Sequence, residues 1–321
     1  MIMKRLIIIF AILVSGGLLR EVSAQREVMF AHYKSNLQEI NPGYVGSRAS
    51  MSITSLNRSH WTLVFDKAPV TQSLNIHSPT TNENIGLGLS FRNERFGPEK
   101  TTSFFADFSY KVQATHQGTL SFGLKAGIGV YDVPLTELII DDPRDPHFAS
   151  DFRSHWLPNF GFGMYYREEN LYIGVSIPKF LEVNYFDNSL TGGARTILQE
   201  RNYYLTAGAA FEINPDMVIV PTTYFRYQRD SKGNGGPAFE ADLTANIILF
   251  DRFSAGALVR VQDALGLLLG LRVSDNWTLN YSFDWSIINR VPSFNFGSHE
   301  LVLRYDLNFL DTHRRSVPMY F

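Results

Sequence analysis

From residue 49 to residue 309 the chain alternates apolar and polar side chains over long segments, the period-2 signature of strands with two unlike faces. The clearest segment sets Trp277, Leu279, Tyr281, Phe283, Trp285 and Ile287 against Thr278, Asn280, Ser282, Asp284 and Ser286. Another sets Phe239, Ala241, Leu243, Ala245 and Ile247 against Glu240, Asp242, Thr244 and Asn246, and a third sets Leu120, Phe122, Leu124, Ala126, Ile128 and Val130 against Ser121, Gly123, Lys125, Gly127 and Gly129. The pattern predicts about fourteen strands: 49–61, 69–78, 84–93, 101–114, 118–131, 157–167, 170–179, 201–213, 216–228, 237–250, 252–263, 264–274, 276–287 and 296–309. Most match the ~9–11 residues that a tilted strand needs to cross a hydrocarbon layer, and an even count is that of bacterial outer-membrane barrels. A secreted two-sheet protein would also alternate, but with strands of about 5–6 residues and a polar outer face; here the apolar face is too continuous. The expected fold is all-β, a transmembrane antiparallel β-barrel of outer-membrane type.

The links between segments test that expectation, because such barrels alternate short periplasmic turns with longer external loops. Short links with turn residues (His116-Gln117-Gly118, Glu168-Glu169-Asn170, Asn214-Pro215-Asp216, Asp251-Arg252, Asp275-Asn276) all follow even-numbered segments. The long links 132–156 and 180–200 follow odd-numbered ones. The abrupt junction at Asp263-Ala264 breaks this parity. An even strand count puts both chain ends on one side, expected to be the periplasm. Glycines gather on the polar face (Gly86, Gly88, Gly123, Gly127, Gly129, Gly161, Gly163, Gly256, Gly266, Gly270), where a barrel interior uses small residues for curvature or for close approach of a plug.

The first 24 residues have the order of a secretory signal peptide: Lys4 and Arg5, an apolar run from Leu6 to Val14, then Val22-Ser23-Ala24 before Gln25. The run is far short of the ~20 residues of a spanning helix, so the expected mature start is Gln25 and the protein is exported. Residues 25–48 form an N-terminal arm. Its Met29, Phe30, Tyr33, Leu37 and Ile40, followed by Asn41-Pro42-Gly43-Tyr44, are too apolar for a disordered linker and end in turn chemistry. The arm is either folded into the lumen or packed on a periplasmic partner. Residues 49–309 are the barrel and 310–321 a periplasmic tail.

Composition narrows the function. The 321 residues contain no cysteine, which removes disulfides, thiolate metal sites, a cysteine nucleophile and a lipidated cysteine. With 29 Lys+Arg against 31 Asp+Glu there is no basic footprint for nucleic acid. Aromatic residues make up 14% and charged residues 19%, the latter below the typical ~25%, which again favours outer-membrane β structure. The pairs Ser59-His60, His77-Ser78 and Ser298-His299 cannot act as nucleophile and base within a pair, because neighbours on a strand point to opposite faces. The carboxylates of Asp141, Asp142 and Asp145 lie among prolines without calcium-loop spacing and read as a solvated loop. Gly86-Leu87-Gly88 and Gly161-Phe162-Gly163 lie within strands and open no helix, so they are no phosphate cradle. No cofactor, metal or catalytic group is expected.

A further set of residues carries a family resemblance. Ile40-Asn41-Pro42-Gly43-Tyr44-Val45-Gly46-Ser47-Arg48, Arg58-Ser59-His60-Trp61, Ala68-Pro69-Val70-Thr71-Gln72-Ser73-Leu74-Asn75-Ile76-His77-Ser78-Pro79, Phe104-Phe105-Ala106-Asp107, Pro158-Asn159-Phe160-Gly161-Phe162-Gly163, Arg304-Tyr305-Asp306 and the terminal Pro318-Met319-Tyr320-Phe321 stand in the order of the PorP/SprF family. The ordered set resembles these outer-membrane barrel proteins of type IX secretion and gliding motility over nearly the whole mature chain. Gly43 stands where the family often has Ala, and the link between the eleventh and twelfth strands also departs. The resemblance implies a non-enzymatic part in secretion, with periplasmic ring subunits of the machine, a secreted surface adhesin, or both as partners, besides outer-membrane lipid. It leaves open a core component or a substrate-dedicated paralogue. The residues expected to serve partner docking are Phe30, Tyr33, Asn41, Pro42, Tyr44, Arg48, Trp61, Pro69, Gln72, His77 and Phe321. Two rival readings stay beside it. A solute channel would use the interior that fourteen strands enclose, lined by Arg92, Lys125, Glu240, Asp242, Arg260, Arg272 and Asp284. A lipid-modifying barrel enzyme would need a Ser/His pair converging across strands.

Overall fold

In the computed structural model the described residues are 28–60, 68–137, 151–186, 196–199, 201–228, 238–261, 263–287 and 297–307; the expected signal peptide and C-terminal tail lie outside them. The strands are β1 (Met51–His60), β2 (Val70–Pro79), β3 (Ile85–Phe96), β4 (Glu99–Gln113), β5 (Thr119–Val133), β6 (Phe152–Arg167), β7 (Leu171–Ile177), β8 (Val183–Phe186), β9 (Thr196–Gln199), β10 (Asn202–Ala209), β11 (Phe211–Asn214), β12 (Met217–Gln228), β13 (Ala238–Leu249), β14 (Phe253–Arg260), β15 (Ala264–Arg272), β16 (Trp277–Ser286) and β17 (Ser298–Leu307). Each wall strand pairs antiparallel with its sequence neighbour. β1 closes on β17 from Met51↔Leu307 to His60↔Ser298, and β10 joins β7 to β12. β11 continues the course of β10 along β12 beyond Ala210. The result is a closed antiparallel barrel of 14 strands, one for each segment that the alternation predicts.

Burial is inverted relative to a water-soluble protein. Leu87, Leu124, Leu265 and Leu267 are each more than half exposed, whereas Arg58, Glu300, Asp242 and Ser282 are fully buried. With apolar atoms outward and charges inward, the wall suits hydrocarbon outside and a polar interior. Exposed aromatics ring both ends: Tyr110, Phe211, Phe253 and Trp277 near one rim, Phe96, Trp156, Phe239 and Trp285 near the other. These are the girdles that sit at the two membrane interfaces.

The structure amends the sequence reading in three places. First, β3 and β4 run on to Phe96↔Glu99, so their link is only Gly97-Pro98, a second exception to the parity. Gly97 has φ +58° at the first turn position, where a two-residue hairpin needs positive φ. Second, β6 starts at Phe152, earlier than expected, and β7 stops at Ile177 before Pro178, which lacks the N–H for further pairing with β10. Third, the link after β7 holds a small two-stranded hairpin, β8 with β9, in a segment whose local pattern predicts only a loop.

Candidate functional site: the lumen and its plug

The arm threads the barrel. Tyr33–Asn36 and Pro42–Tyr44 form single 3-10 turns on either side of the one-turn helix Leu37–Ile40, and nearly every residue from Met29 to Arg48 is buried. Helices this short are not stable alone; the wall holds them. The contacts run round the whole circumference. The Ala31 and His32 N–H groups donate to the Glu300 carboxylate on β17 at 2.9 and 2.7 Å. The Tyr33 hydroxyl meets Thr222 Oγ1 on β12 at 2.7 Å and Thr244 Oγ1 on β13 at 3.3 Å. Asn75 Nδ2 on β2 donates to Asn36 Oδ1 at 2.6 Å, and Gln38 Nε2 reaches Ile76 O, Leu89 O and Asp107 Oδ2 on β2, β3 and β4. On the far side Asn41 Nδ2 donates to Met164 O on β6 at 2.8 Å, and Ser176 Oγ on β7 donates to Ile40 O at 2.7 Å.

The polar-face glycines explain how backbone can lie so close to backbone. A Cβ on Gly123 would sit 2.1 Å from Gly43 N and 2.2 Å from Pro42 C, and one on Gly86 2.4 Å from Val45 O. One on Gly163 would sit 2.0 Å from Asn41 Oδ1. These three, with Gly88 beneath Gln38, form a seat that any side chain would fill. Gly127, Gly256 and Gly270 instead make room for neighbouring wall residues, so the glycine signal has two sources.

The expected docking residues separate into groups. Phe30 packs on Leu56 and Val302; Tyr33 meets Tyr224 in a tilted ring contact; Asn41 and Pro42 fill the glycine seat. Tyr44 contacts His77 and Tyr165 edge-on, and His77 Nδ1 accepts from Gly46 N at 3.3 Å. Arg48 pairs with Asp306 at 3.1 Å where the chain passes into β1. These seven are gathered inside the lumen, bonded to their own chain. Pro69 instead lies at the opposite rim, where its carbonyl accepts from His60 N, and Gln72 is exposed on the outward face. Trp61 and Phe321 lie outside the described residues. The described arm lies in the lumen, one of the two places expected for it. From Arg48, at the rim with the short links, it climbs until Ala31 packs on Leu258 and Leu268, beside Glu300. The first described residues therefore sit within the bore.

Sequence reasoning missed the residues that hold the arm from the wall: Glu300, Ser109, Lys111 and Arg167. Ser109 Oγ donates to Val45 O at 2.5 Å, Lys111 Nζ to Gly46 O at 2.6 Å and Arg167 to Ser47 O at 2.7 Å. Their only signal is a polar side chain on the inward face, which they share with dozens of others. The charges proposed for a channel lining are largely paired. Arg58 spans Asp284 and Glu300, Arg260 holds Asp242 at 2.9 Å and also reaches Asp284, Arg226 pairs with Glu240, and Lys125 holds Asp107 at 2.9 Å.

One Ser/His pair does converge across strands. Ser298 Oγ lies 2.8 Å from His60 Nδ1. Arg58 Nε donates to His60 Nε2 at 3.2 Å, however, so the ring proton is on Nδ1 and points at Ser298. A histidine in that tautomer cannot take the serine proton. The pair also faces the lumen, away from lipid. Among the described residues no three His, Asp or Glu side chains converge on a metal position.

A model of the type IX secretion system membrane protein PorP/SprF matches residues 22–305. The chain belongs to the PorP/SprF family. It is therefore a type IX secretion component of the outer membrane. No curated protein matches it. Among solved structures it is similar to the Ralstonia pickettii toluene transporter TbuX, with TM-score 0.50 and 9% identity over 85% of this chain and 93% of that one. It also resembles CymD, a monoaromatic hydrocarbon channel, with TM-score 0.46 and 11% identity over 89% and 94%. A FadL homologue of Pseudomonas aeruginosa follows, with TM-score 0.45 and 9% identity over 80% and 89%. At such identities the likeness to TbuX is one of fold. PorP/SprF membership and the barrel agree on the same compartment.

Proposed function

We propose that this PorP/SprF protein is a non-enzymatic, internally plugged barrel that works through its two rims. The observation that carries this reading is the arm, which fills the bore with its own side chains and leaves the rims as the surfaces open to other proteins. In this reading the rim with short links and the C-terminal strand end faces the periplasm and docks ring subunits of the secretion machine. The rim with the long links 134–151 and 178–201 faces outward and holds a secreted surface protein. Phe30, Tyr33, Asn41, Pro42, Tyr44, Arg48 and His77 then act indirectly, by stiffening the barrel that presents the rims. In this reading the described arm lies within the lumen, and the C-terminal strand end at Leu307 lies at the periplasmic rim. Catalysis has no support in the Ser298–His60 geometry. A freely open solute channel, as the names of TbuX and CymD would suggest by analogy, is disfavoured by the same plug.

The test is gentle affinity purification of the tagged full chain from its native outer membrane, with identification of what accompanies it. Recovery of periplasmic ring subunits makes it a core component, and recovery of one large surface protein makes it a dedicated anchor. Recovery of neither, with the barrel intact, would overturn the docking reading.

A further inference from the structure

The two halves of the arm are held in different ways. Residues Asn41–Arg48 are locked through their backbone, which fits against Gly86, Gly123 and Gly163 with no space for a methyl group, while three wall side chains grip the Val45, Gly46 and Ser47 carbonyls; Ser47 Oγ and Arg48 Nε are buried without a hydrogen-bond partner among the described residues. Residues Val28–Ile40 meet the wall mainly through side chains instead, with Tyr33 on Thr222 and Thr244, Asn36 on Asn75 and Gln38 on β2, β3 and β4, bonds that water can replace without moving the wall. His32 Nε2, Asn36 Nδ2, Gln38 Oε1 and Glu39 Oε1 are buried without a hydrogen-bond partner among the described residues, and each such atom opposes burial because water would satisfy it. The halves meet at Asn41, whose extended backbone (φ −135°, ψ 109°) breaks the helical turns on either side.

The wall facing the upper half is largely balanced within itself: Glu39 approaches Arg92 at 4.0 Å, but Arg92 also meets Glu94 on its own strand at 3.3 Å. Arg58 keeps Asp284 and Glu300, Arg260 keeps Asp242, and Arg226 keeps Glu240, all within the barrel wall. The charged clasp on the backbone of the upper half is the Glu300 carboxylate, which accepts the adjacent N–H groups of Ala31 and His32, beside the neutral side-chain bonds of Tyr33, Asn36 and Gln38.

We propose that the barrel is a gated conduit, with Val28–Ile40 as a displaceable gate hinged at Asn41, Asn41–Arg48 as its fixed mount and Glu300 as its latch. Released from Glu300, the upper half moves out of the bore and its orphaned polar atoms gain water. A polar passage opens beside the mount, lined by Arg58, Asp242, Arg260, Asp284 and Ser282, for small hydrophilic solutes or hydrated ions. This goes beyond the docking reading and does not rest on it. At rest the conduit is shut.

The absence of cysteine gives a clean test. Ser282 is fully buried, faces the lumen and stands opposite Glu300 in the β16–β17 register. Ser282→Cys, refolded in lipid vesicles, is treated with a charged, membrane-impermeant maleimide. Slow labelling is expected in the otherwise native chain. Adding Glu300→Ala removes the two arm hydrogen bonds and one of the two carboxylate partners of Arg58, which keeps Asp284, and should speed labelling by about tenfold or more. Deleting residues 28–40 should speed it further. Ser121→Cys, buried behind the mount beside Gly43, should stay protected in both backgrounds. Unchanged labelling of Ser282→Cys in both backgrounds would overturn the proposal, as would fast labelling in the native chain. Equal exposure of Ser121→Cys would mean general loosening and would overturn it too. So would a deletion that stops the barrel assembling, read from its heat-dependent gel mobility, because a gate is separable from its wall.

Discussion

Gly123→Ala tests the seat beneath the arm more sharply than any arm substitution. The added methyl would lie 2.1 Å from Gly43 N and 2.2 Å from Pro42 C, where ordinary contact needs about 3.5–4 Å. Both obstructing atoms are backbone, so no side chain can rotate away; the segment must move by more than an ångström. That movement would break the 2.8 Å bond from Asn41 Nδ2 to Met164 O on the neighbouring strand. Overpacking costs about 1–3 kcal/mol and a lost hydrogen bond roughly 0.5–1.5 kcal/mol more, for a sum of about 2–4 kcal/mol. Gly129→Ala is the matched control on the same strand and face. Its methyl would meet nothing closer than Ser103 Oγ at 3.4 Å, and alanine is about 0.5–1 kcal/mol better than glycine within a strand. Urea titration of both variants refolded in lipid, read by gel mobility and tryptophan fluorescence, measures the difference. Equal midpoints for the two alanine variants would refute the claim that the arm is seated on Gly123.

Arg58→Ala should cost about 3–5 kcal/mol, because Asp284 and Glu300 both lose the guanidinium that spans them; the same titration reads it, and a loss under about 1 kcal/mol would contradict the buried network. Leu267→Arg, on the outward face of β15 and 52% exposed, should destabilise by about 2–4 kcal/mol in a bilayer, whereas arginine there in detergent-free water-soluble protein would be neutral. Asp151 accepts from the Thr136 N–H and hydroxyl and from Arg153, which hold its carboxyl down at about 2. A depressed carboxylate contributes above its unfolded value and loses that contribution as pH falls through the folded one. The Thr136–Asp151 link should therefore persist at pH 4 and fail only near pH 2, as an NMR titration of the Asp151 carboxyl would report; a midpoint near 4 would contradict it.

The wall was legible from the sequence because its rule is local. Trp277 to Ile287 alternate whichever way the rest of the chain folds, and an apolar face that continuous has no place in a water-soluble sheet. Strand order followed from the short links, which leave antiparallel neighbours little choice. What lay beyond reach was set by contacts distant in sequence. Glu300 and Ala31 are 269 residues apart, and nothing near either residue marks the other. The glycines at 86, 123 and 163 did carry the plug's imprint, but Gly127, Gly256 and Gly270 give the same signal for a different reason. Gln72 and His77 sit within one motif, and the pleat sends them to opposite faces. A motif therefore grouped residues that the strand separates. The turn at Gly97-Pro98 was missed because Glu94 and Arg95 look polar enough for a loop, although both pair with β4, opposite Thr101 and Lys100.

The claim at the centre of this account is that the resting barrel is closed by its own arm. Conductance of the purified full-length protein in planar bilayers tests it directly. The structure predicts no sustained current, with at most brief openings that become long-lived once residues 28–40 are removed. A stable, continuously open current from the intact chain would contradict it.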